Sequence, residues 1–394
     1  MRRIAFIGGM VFNSEKEEFA PATVLCESGY ITDIIEDDFF TPCDYEIVDL
    51  EGKYLIPGLI DVHTHGIGNY DFNYATESEI PFMCAKYAKA GTTSIMATLA
   101  SDTISRYMNS IFAINQNRLH ARSACANILG IHLEGRYLNP EMKGAHAIEL
   151  LANPNADELA SLALSMMPPP LHVSVAPELS GADEFIKKAT ELGATVGIAH
   201  TASSYEQAKR ALSLGAKSFT HTFNAMTKVH HRMPGAAICA LTSDEAYAEI
   251  IADGEHLHPA IVELAYKTKP KDKLVLITDS MCATCVGDGK YGIAGSIVYV
   301  KDGRATNENG VLAGSTLTMF NALRNMMKFC KIPLKEAIKY ATTNPAKMVG
   351  ADFVGKIAKC YRADFIAIKD VYVPEIDTVY VGGQRVIAGM NTTN

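Results

Sequence analysis

Short apolar runs alternate with helix-like segments from Pro57 onward, and this alternation limits the possible folds more than any other feature of the sequence. Strands that alternate with helices are typical of parallel β/α units. The intervening segments, such as ADEFIKKATELG and YEQAKRALSLG, end on a glycine that can close a helix. The apolar runs are GLIDVHTH, TTSIMATL, ILGIHLEG, LHVSVAPE, TVGIAHT, SFTHTFNA, AEIIADGEH and KLVLITDS. Eight units over about 240 residues predict a TIM-like (β/α)8 barrel, whose typical size is about 250 residues.

Both ends of the chain have a different pattern from the middle. Residues 1–55 and 354–394 contain short β-branched or aromatic runs broken by Gly, Asp and Pro, which is typical of strands. We therefore predict an α/β protein in which the two ends form one small β-sandwich domain. The barrel is expected to span residues 56–353. A β-hairpin insertion is expected near 291–312, where Asp-Gly and Asn-Gly pairs mark turns.

Composition excludes several classes of function. The 394 residues carry 36 basic and 44 acidic side chains, a net charge of -8, so no general attraction to nucleic acid or to an anionic membrane is expected. No apolar stretch approaches the roughly 18 residues of a membrane span. The start MRRIAFIGGMVF is predicted to be a first strand, because its apolar patch is too short for a signal peptide. Nine irregularly spaced cysteines favour a reducing compartment, the cytoplasm.

Two histidines close the first barrel strand. His63 and His65 stand two positions apart in the stretch IPGLIDVHTHG. Residues at this spacing in a strand project from one face, about 6.6 Å apart along the backbone. Two imidazoles in this arrangement can bind one metal ion, but a histidine at a strand end can also be structural. The pair alone leaves both interpretations open.

Other side chains that bind metals stand at the ends of later strands. They are Glu134 in IHLEG, His200 in GIAHT and His221 in FTHTFNAM. Barrel enzymes place their chemistry at the C-terminal ends of the strands. Zinc and related divalent ions take His nitrogen and carboxylate oxygen, and a catalytic site leaves one position for water. Unrelated burial of all these groups would require several coincidences, since an unpaired buried Glu is costly. The pattern therefore predicts a metal site.

Asp279 ends the eighth strand in LVLITDS and has no basic residue beside it in the sequence. A carboxylate in this position is suited to be a general base. Coordination to a metal lowers the pKa of water from 15.7 to about 7, whereas general acid–base catalysis contributes about 10²- to 10⁴-fold. We expect the ion to supply the larger share of the rate and Asp279 to move the protons.

The motifs PGLIDVHTHG, HLEG, AHT, THTFNAM and ITDS, in this order, resemble those of the metal-dependent amidohydrolase superfamily. A finer set resembles the N-acetylglucosamine-6-phosphate deacetylase family over essentially the whole chain: HLEGRYLN, KGAH, APE, THTFNAMTKVHHRMPG, IADGEHLHP, LITDSM and LAGSTLTM. The resemblance implies hydrolysis of N-acetylglucosamine 6-phosphate to glucosamine 6-phosphate and acetate. It also implies a place in amino-sugar catabolism and cell-wall sugar recycling.

The resemblance implies roles for individual residues. Glu134, His200 and His221 match the family's principal metal ligands. Asp279 matches the aspartate that activates water and then protonates the departing amine. Sugar and phosphate contacts are implied for His146, Asn224, Ala225, Arg232 and His256. Arginine is suited to bidentate phosphate contact, so an acidic protein can still bind a sugar phosphate through a few fixed donors.

Several implications concern the metal and the assembly. Zn²⁺ is the preferred ion, with Fe²⁺ or another divalent ion as alternatives. The histidine pair varies within the family, so a second ion at His63 and His65 stays open, giving one or two ions per subunit. Arg232 matches an arginine that the family lends to the neighbouring subunit's active site, which implies a homodimer. The sequence departs from the motif that is common in the family at Arg136 and Tyr137, which puts substrate contacts near these residues in doubt.

Two other hypotheses compete with this one. The first is another amidohydrolase that acts on a cyclic amide or on a different N-acetylated sugar. The second is a catalytically silent barrel that serves as a scaffold. A silent barrel is expected to have lost ligand positions, whereas all four residues Glu134, His200, His221 and Asp279 are present.

Overall fold

The computed structural model describes residues 2–36, 43–119, 124–293 and 296–386. Parts of the predicted end domain and of the predicted insertion lie outside these ranges, namely residues 1, 37–42, 387–394 and 294–295.

The chain begins with five strands of the end domain: β1 (Arg3–Asn13), β2 (Glu18–Glu27), β3 (Tyr30–Ile35), β4 (Glu46–Asp49) and β5 (Tyr54–Pro57). The barrel strands follow, with a short hairpin after the first of them. The barrel strands are β6 (Leu59–Thr64), β9 (Thr92–Leu99), β10 (Asn127–Leu133), β11 (Leu171–Val175), β12 (Thr195–Ile198), β13 (Ser218–Phe219), β14 (Tyr247–Ile251) and β15 (Leu274–Ile277). The hairpin is β7 (Gly66–Ile67) with β8 (Tyr70–Asp71).

The helices pack around the barrel and on its last strand. They are α1 (Ile80–Lys89), α2 (Ile104–Leu119), α3 (Ala156–Met166), α4 (Ala182–Glu191), α5 (Tyr205–Ser213), α6 (Gly235–Thr242), α7 (Pro259–Thr268), α8 (Met319–Cys330), α9 (Leu334–Ala337) and α10 (Thr343–Val349). Short 3₁₀ turns lie at Pro140–Met142, Ile148–Leu150 and Ile338–Ala341. Among the described residues, the structure has no helix with the length and apolar character needed to cross a membrane.

The predicted barrel is confirmed. Its strands pair in parallel in the order β6, β9, β10, β11, β12, β13, β14, β15. Most of their residues are buried because helices cover the outer face and side chains fill the interior. The first and eighth barrel strands are joined by two backbone hydrogen bonds. Asp279 N–H donates to the His63 carbonyl at 2.9 Å, and His65 N–H donates to the Ser280 carbonyl at 2.8 Å. These bonds bring the ends of the first and eighth strands together.

The predicted helix closures are also observed. Gly193 and Gly215 follow α4 and α5 with φ of 76° and 116°, in the region that side-chain-bearing residues rarely adopt. The helix α5 begins with a capping box, in which the Ser204 side chain accepts from Gln207 N–H and the Gln207 side chain accepts from Ser204 N–H. Local sequence signals therefore set both ends of this helix.

The insertion after the eighth strand is larger than the predicted hairpin. It forms a three-stranded antiparallel sheet of β16 (Gly289–Ile293), β17 (Ser296–Lys301) and β18 (Arg304–Asn307). The predicted turn at Asp302 and Gly303 joins the second and third strands, and both residues have positive φ. The additional strand begins at Gly289, two residues before the predicted start of the insertion, and continues into it.

The two ends of the chain form one domain, as predicted. The strands β19 (Phe365–Ile368), β20 (Ile376–Val381) and β21 (Gln384–Arg385) join the first five in the order β21, β20, β19, β5, β1, β2, β3, while β4 pairs with β1. Phe6 packs edge-on against Phe365 and Tyr380, with ring centroids 5.1 and 4.9 Å away. The limits of 55/56 and 353/354 between the domains stay predictions.

The aromatic core of the end domain provides a test of this joining. Phe365 is fully buried, so Phe365→Ala leaves a cavity between strands from the two ends of the chain. We expect it to lower the free energy of unfolding by about 3–5 kcal/mol. Tyr372→Ala is the matched control, because Tyr372 is 87% exposed and should change stability by less than about 0.5 kcal/mol. Urea unfolding followed by circular dichroism measures both, and equal effects would contradict the described packing.

Candidate metal centre and active site

Glu134, His200 and His221 meet at the C-terminal end of the barrel. Glu134 directly follows β10, and its Oε1 lies 3.2 Å from His200 Nε2 and 3.1 Å from His221 Nε2. The two imidazole Nε2 atoms are themselves 3.1 Å apart. All three residues are buried. We call these residues the Glu134 group.

His63, His65 and Asp279 form a second group beside the first. The Nε2 atoms of His63 and His65 are 3.3 Å apart, and Asp279 Oδ1 lies 3.5 and 3.3 Å from them. Glu134 joins this group to the first, because its Oε2 lies 2.9 Å from His65 Nε2. We call His63, His65 and Asp279 the Asp279 group. The structure thus brings together all six side chains that the sequence suggested for the metal and the base.

The donor atoms of both groups fit a divalent cation. Within each group, one nitrogen or carboxylate oxygen per residue lies within 4.8 Å of the others. The His200 ring is oriented for this task, since its Nδ1–H donates to the Met142 carbonyl at 2.8 Å and leaves the Nε2 lone pair facing Glu134 and His221. Such an outer hydrogen bond commonly fixes the tautomer of a metal-binding histidine. His nitrogen with carboxylate oxygen is the donor set of zinc and similar ions.

The charges in the site also favour the binding of a divalent cation. Burial raises the pKa of Glu134, but the charge of nearby His63 and the contacts with His200 and His221 outweigh it and hold the pKa well below its ordinary value. Burial also raises the pKa of Asp279, and the charges of His63 and His65 lower it to about 2. Burial lowers the pKa of His65, yet the two carboxylates raise it to about 9. Two buried carboxylates therefore attract positive charge into the space between them.

The backbone turns sharply where three of these residues stand. His200, His221 and Asp279 have φ of 42°, 32° and 51°, a left-handed conformation that costs side-chain-bearing residues roughly 1–3 kcal/mol each. Hydrogen bonds on both sides hold the turns. The Asp279 carbonyl accepts from Ser315 N–H at 2.8 Å, and the His200 carbonyl accepts from Asn139 N–H at 3.0 Å. The surrounding structure thus directs these side chains towards one another.

A buried carboxylate supports the histidine pair from below. Asp61 Oδ1 accepts from the backbone N–H groups of His63 at 3.2 Å and Thr278 at 3.3 Å, and its Oδ2 accepts from Thr278 Oγ1 at 2.5 Å. Burial raises the pKa of Asp61 to about 7, although these hydrogen bonds lower it. Asp61 therefore ties the first barrel strand to the eighth just before His63 and Asp279.

A cavity of about 540 Å³ opens beside both groups. Four of the five predicted substrate contacts line it, namely His146, Asn224, Ala225 and His256. His146 Nδ1 accepts from Ser101 N–H at 3.3 Å, which leaves the opposite ring nitrogen as a donor. Burial lowers the pKa of His146 to about 3, with a smaller effect from His200, so the ring is neutral. A neutral imidazole that donates a hydrogen bond suits a carbonyl or hydroxyl oxygen.

His256 lines the cavity beside an acidic partner, Asp253. Its Nδ1 lies 2.6 Å from Asp253 Oδ2. Burial lowers the pKa of His256, but the hydrogen bond and charge of Asp253 outweigh it and raise the pKa above its ordinary value. The same pair holds the pKa of Asp253 below its ordinary value against the effect of burial. Asp253 therefore favours the protonated, cationic form of the His256 ring at the cavity wall.

The sequence interpretation missed Lys143, which also lines the cavity. Its Nζ donates to the carbonyls of His146 at 3.1 Å and Gly144 at 3.5 Å. The signal was present in the motif KGAH, from which only the histidine was chosen. Lys143 adds a cation to the lining of the cavity.

Arg232 does not line the cavity of its own chain. It is exposed, and its Nη1 contacts His231 Nε2 at 2.9 Å. The departures at Arg136 and Tyr137 are also away from the cavity lining. The Tyr137 hydroxyl is buried and donates to Glu158 at 2.8 Å, and Arg136 pairs with the same carboxylate at 3.2 Å. These two residues support the barrel wall instead of the site.

Comparison with known proteins identifies the family. The sequence model of the Amidohydrolase family matches residues 54–386. This chain belongs to the amidohydrolase family. Within that family, the predicted resemblance to N-acetylglucosamine-6-phosphate deacetylases is confirmed by the individual relatives.

Three relatives of this amidohydrolase are informative. The chain is 32% identical over 335 residues to N-acetylglucosamine-6-phosphate deacetylase of Lysinibacillus sphaericus, covering 85% of this chain and 86% of the relative. It is also 32% identical over 344 residues to N-acetylgalactosamine-6-phosphate deacetylase of Escherichia coli O157:H7, covering 87% of this chain and 90% of the relative. A mutant N-acetyl-D-glucosamine-6-phosphate deacetylase of Mycobacterium smegmatis, solved with N-acetyl-D-glucosamine-6-phosphate, has a TM-score of 0.89 at 27% identity, covering 98% and 100%.

The geometry of the amidohydrolase site predicts that Glu134 is essential for cation binding. Glu134→Gln keeps the size of the side chain but removes the charge shared by both groups. We expect Zn²⁺ affinity to fall by more than about 100-fold, beyond the 10- to 100-fold cost of losing an outer hydrogen-bond partner. Metal analysis after dialysis against buffered Zn²⁺ measures the loss.

The matched control for this change is Glu158→Gln. Glu158 is also a barrel-wall carboxylate, but it contacts Tyr137 and Arg136 instead of either group. Its variant should keep the metal content of the unaltered protein. Unchanged metal content in Glu134→Gln would contradict the assignment.

Proposed function

We propose that this amidohydrolase removes the acetyl group from N-acetylglucosamine 6-phosphate, giving glucosamine 6-phosphate and acetate in amino-sugar catabolism. The observation that carries the proposal is the meeting of the Glu134 and Asp279 groups at the wall of a cavity large enough for a sugar phosphate. Relatives with that activity, named above, support the same substrate.

The Glu134 group is the proposed principal cation site. Glu134, His200 and His221 would hold a divalent ion, with Zn²⁺ as the first choice and Fe²⁺ as the alternative. His63 and His65, with Asp279, would hold a second ion. When bound, a divalent ion polarises the acetamide carbonyl and makes water more acidic.

Asp279 is the proposed general base and then the general acid. Its side chain is 13% exposed, against 3% for Glu134, so it is the carboxylate of the two that is more open to the cavity. The positive charge around Asp279 holds its pKa below the ordinary value, so the carboxylate is ionised at neutral pH and has an oxygen lone pair for the proton of the attacking water. As the new C–O bond forms and the C–N bond breaks, Asp279 returns this proton to the departing amine nitrogen.

The phosphate is proposed to lie against the cationic part of the wall. Lys143 and His256 supply charge there from the same chain. Arg232 is proposed to come from a second subunit, since it is exposed and does not line the cavity of its own chain. The proposed enzyme is therefore a homodimer. The cytoplasmic location expected from the cysteine pattern remains part of the proposal.

One other substrate has a specific observation in its favour. The galactosamine-type relative matches this chain as closely as the glucosamine-type relative, at 32% identity. The two sugars differ in the orientation of one hydroxyl group, so the chemistry of the acetamide and the phosphate is common to both. A cyclic amide would not use the cationic wall, and a silent scaffold would not need six converging donors.

An assay of acetate release separates these hypotheses. The purified protein, supplied with Zn²⁺, is tested on both N-acetylated sugar phosphates, on unphosphorylated N-acetylglucosamine and on a cyclic amide. The proposal expects the highest kcat/KM for N-acetylglucosamine 6-phosphate. No turnover of either sugar phosphate with metal present would remove it.

The role of Asp279 gives a second prediction for this site. Asp279→Asn cannot accept the proton of water, so kcat should fall by about 10²- to 10⁴-fold. The Glu134 group is untouched and should still bind one cation. Acetate release and metal content are measured on the same preparation. Near-normal turnover would refute the assignment of the base.

The role of Arg232 gives a third prediction. Arg232→Gln should raise the KM for the phosphorylated sugar by roughly 10-fold or more, because a charge-assisted phosphate contact is lost. The weak turnover of the unphosphorylated sugar should hardly change. Arg324→Gln is the control, since Arg324 lies on α8 outside the lining of the cavity. An equal response to both substrates would argue against phosphate contact.

A further inference from the structure

A carboxylate without a hydrogen-bond partner lies inside the barrel beneath the active site. Glu249 stands in the middle of β14, in the run YAEII, and is fully buried. Among the described residues, neither of its carboxylate oxygens has a hydrogen-bond partner. Burial of a carboxylate without compensation is costly, so its presence in an apolar strand requires an explanation.

Histidines lie on both sides of this carboxylate. Glu249 Oε2 is 3.8 Å from His63 Nδ1, and Oε1 is 3.6 Å from His172 Nε2. His132 contacts both imidazoles, and its ring centroid is 4.6 Å from that of His63 and 4.2 Å from that of His172. His132 and His172 are paired across the neighbouring strands β10 and β11. His63 on β6 and Glu249 on β14 come from strands that neighbour neither of these nor each other, so the four side chains meet in the barrel interior.

The His63 ring faces a carboxylate on each side. Its Nε2 points to the active site, 3.4 Å from Glu134 Oε2 and 3.5 Å from Asp279 Oδ1. Its Nδ1 has no hydrogen-bond partner among the described residues and faces Glu249. A proton on Nδ1 is attracted by that carboxylate, whereas a lone pair there would be repelled. A proton on Nδ1 leaves the Nε2 lone pair free for a cation.

We propose that Glu249 is a positioning residue, which holds the proton on His63 Nδ1 and thereby raises the affinity of the Asp279 group for a second divalent cation. The inference depends on the proposed metal-dependent function in one respect, which is that the protein binds a divalent cation. Carboxylate, histidine and metal form a common arrangement in proteins, in which the carboxylate orients the ring. Glu249 reaches the ring from the seventh strand, through the inside of the barrel.

The contribution of His132 differs from that of Glu249. The His132 Nε2 is 2.9 Å from Ser174 Oγ, and its Nδ1 is 3.4 Å from Thr98 Oγ1, so this ring has its own partners. Within the described part of the chain, Glu249 has no such partner, so its capacity to accept a hydrogen bond is not taken up by a hydroxyl group.

The experiment is a Zn²⁺ titration of the metal-free protein by calorimetry, with metal content after dialysis. The unaltered protein should bind two equivalents. Glu249→Leu removes the acceptor and should weaken the second equivalent by about 100-fold, while Glu249→Gln keeps a neutral acceptor and should weaken it by about 10-fold. The first equivalent should change less than about 3-fold in both. Glu158→Gln, described above as a control, should bind both equivalents normally.

A spectroscopic measurement separates positioning from a general structural role. In the Co²⁺-loaded protein, the N–H protons of bound histidines give strongly shifted exchangeable signals. The His63 signal, assigned through a His63→Asn variant, should exchange with solvent faster in Glu249→Gln. This measurement does not depend on Glu249→Leu being folded.

Three outcomes would overturn the inference. The first is uptake of a single equivalent by the unaltered protein, and the second is equal weakening of both equivalents in the Glu249 variants. The third is an unchanged His63 exchange rate together with unchanged second-site affinity. Each of these leaves the proposed deacetylation standing, because the Glu134 group alone can hold a cation. Failure of the deacetylase assay with normal two-site binding would instead refute the function and leave the role of Glu249 intact.

Discussion

The buried carboxylate of Glu134 is the contact on which the rest of the site depends. Its Oε1 faces His200 and His221, and its Oε2 faces His63 and His65. One side chain therefore connects four barrel strands that are far apart in the sequence. A carboxylate at this depth is tolerated only where positive charge meets it. The protonated histidines or a divalent cation supply that charge, so the fold and the chemistry satisfy the same electrostatic requirement.

The barrel gives this carboxylate its neighbours by a simple geometric rule. Parallel strands finish at one end of a closed sheet, so residues that end different strands face a common centre. The left-handed turns at His200, His221 and Asp279 then direct the side chains inwards, and bonds such as Ser315 N–H to the Asp279 carbonyl hold the strained backbone. Strain of this kind is typical of functional sites, where the surrounding structure maintains it. The insertion completes the cavity, to which it contributes Ile293.

Much of the architecture was predictable because its signals are local. The apolar runs gave all eight barrel strands, and strand-end residues such as Glu134 indicated the site, since a polar group after an apolar run marks the end of a strand. Two functional candidates were missed. Lys143 stands in a loop whose path no periodicity predicts. Glu249 interrupts the run YAEII, a visible signal, but the sequence does not show whether such a carboxylate faces the barrel interior or the helices.

The sequence by itself determined the order of strands and helices, their caps and the chemical types of the donors, because each depends on residues a few positions apart. Only the tertiary structure decided which donor side chains lie close enough together to bind the same cation. It placed Glu249 behind His63 and joined Phe6 to Phe365. It also left Arg232 outside the cavity of its own chain. These relations arise when the barrel and the end sheet close, and the distances that closure produces between remote residues are not encoded in any local pattern.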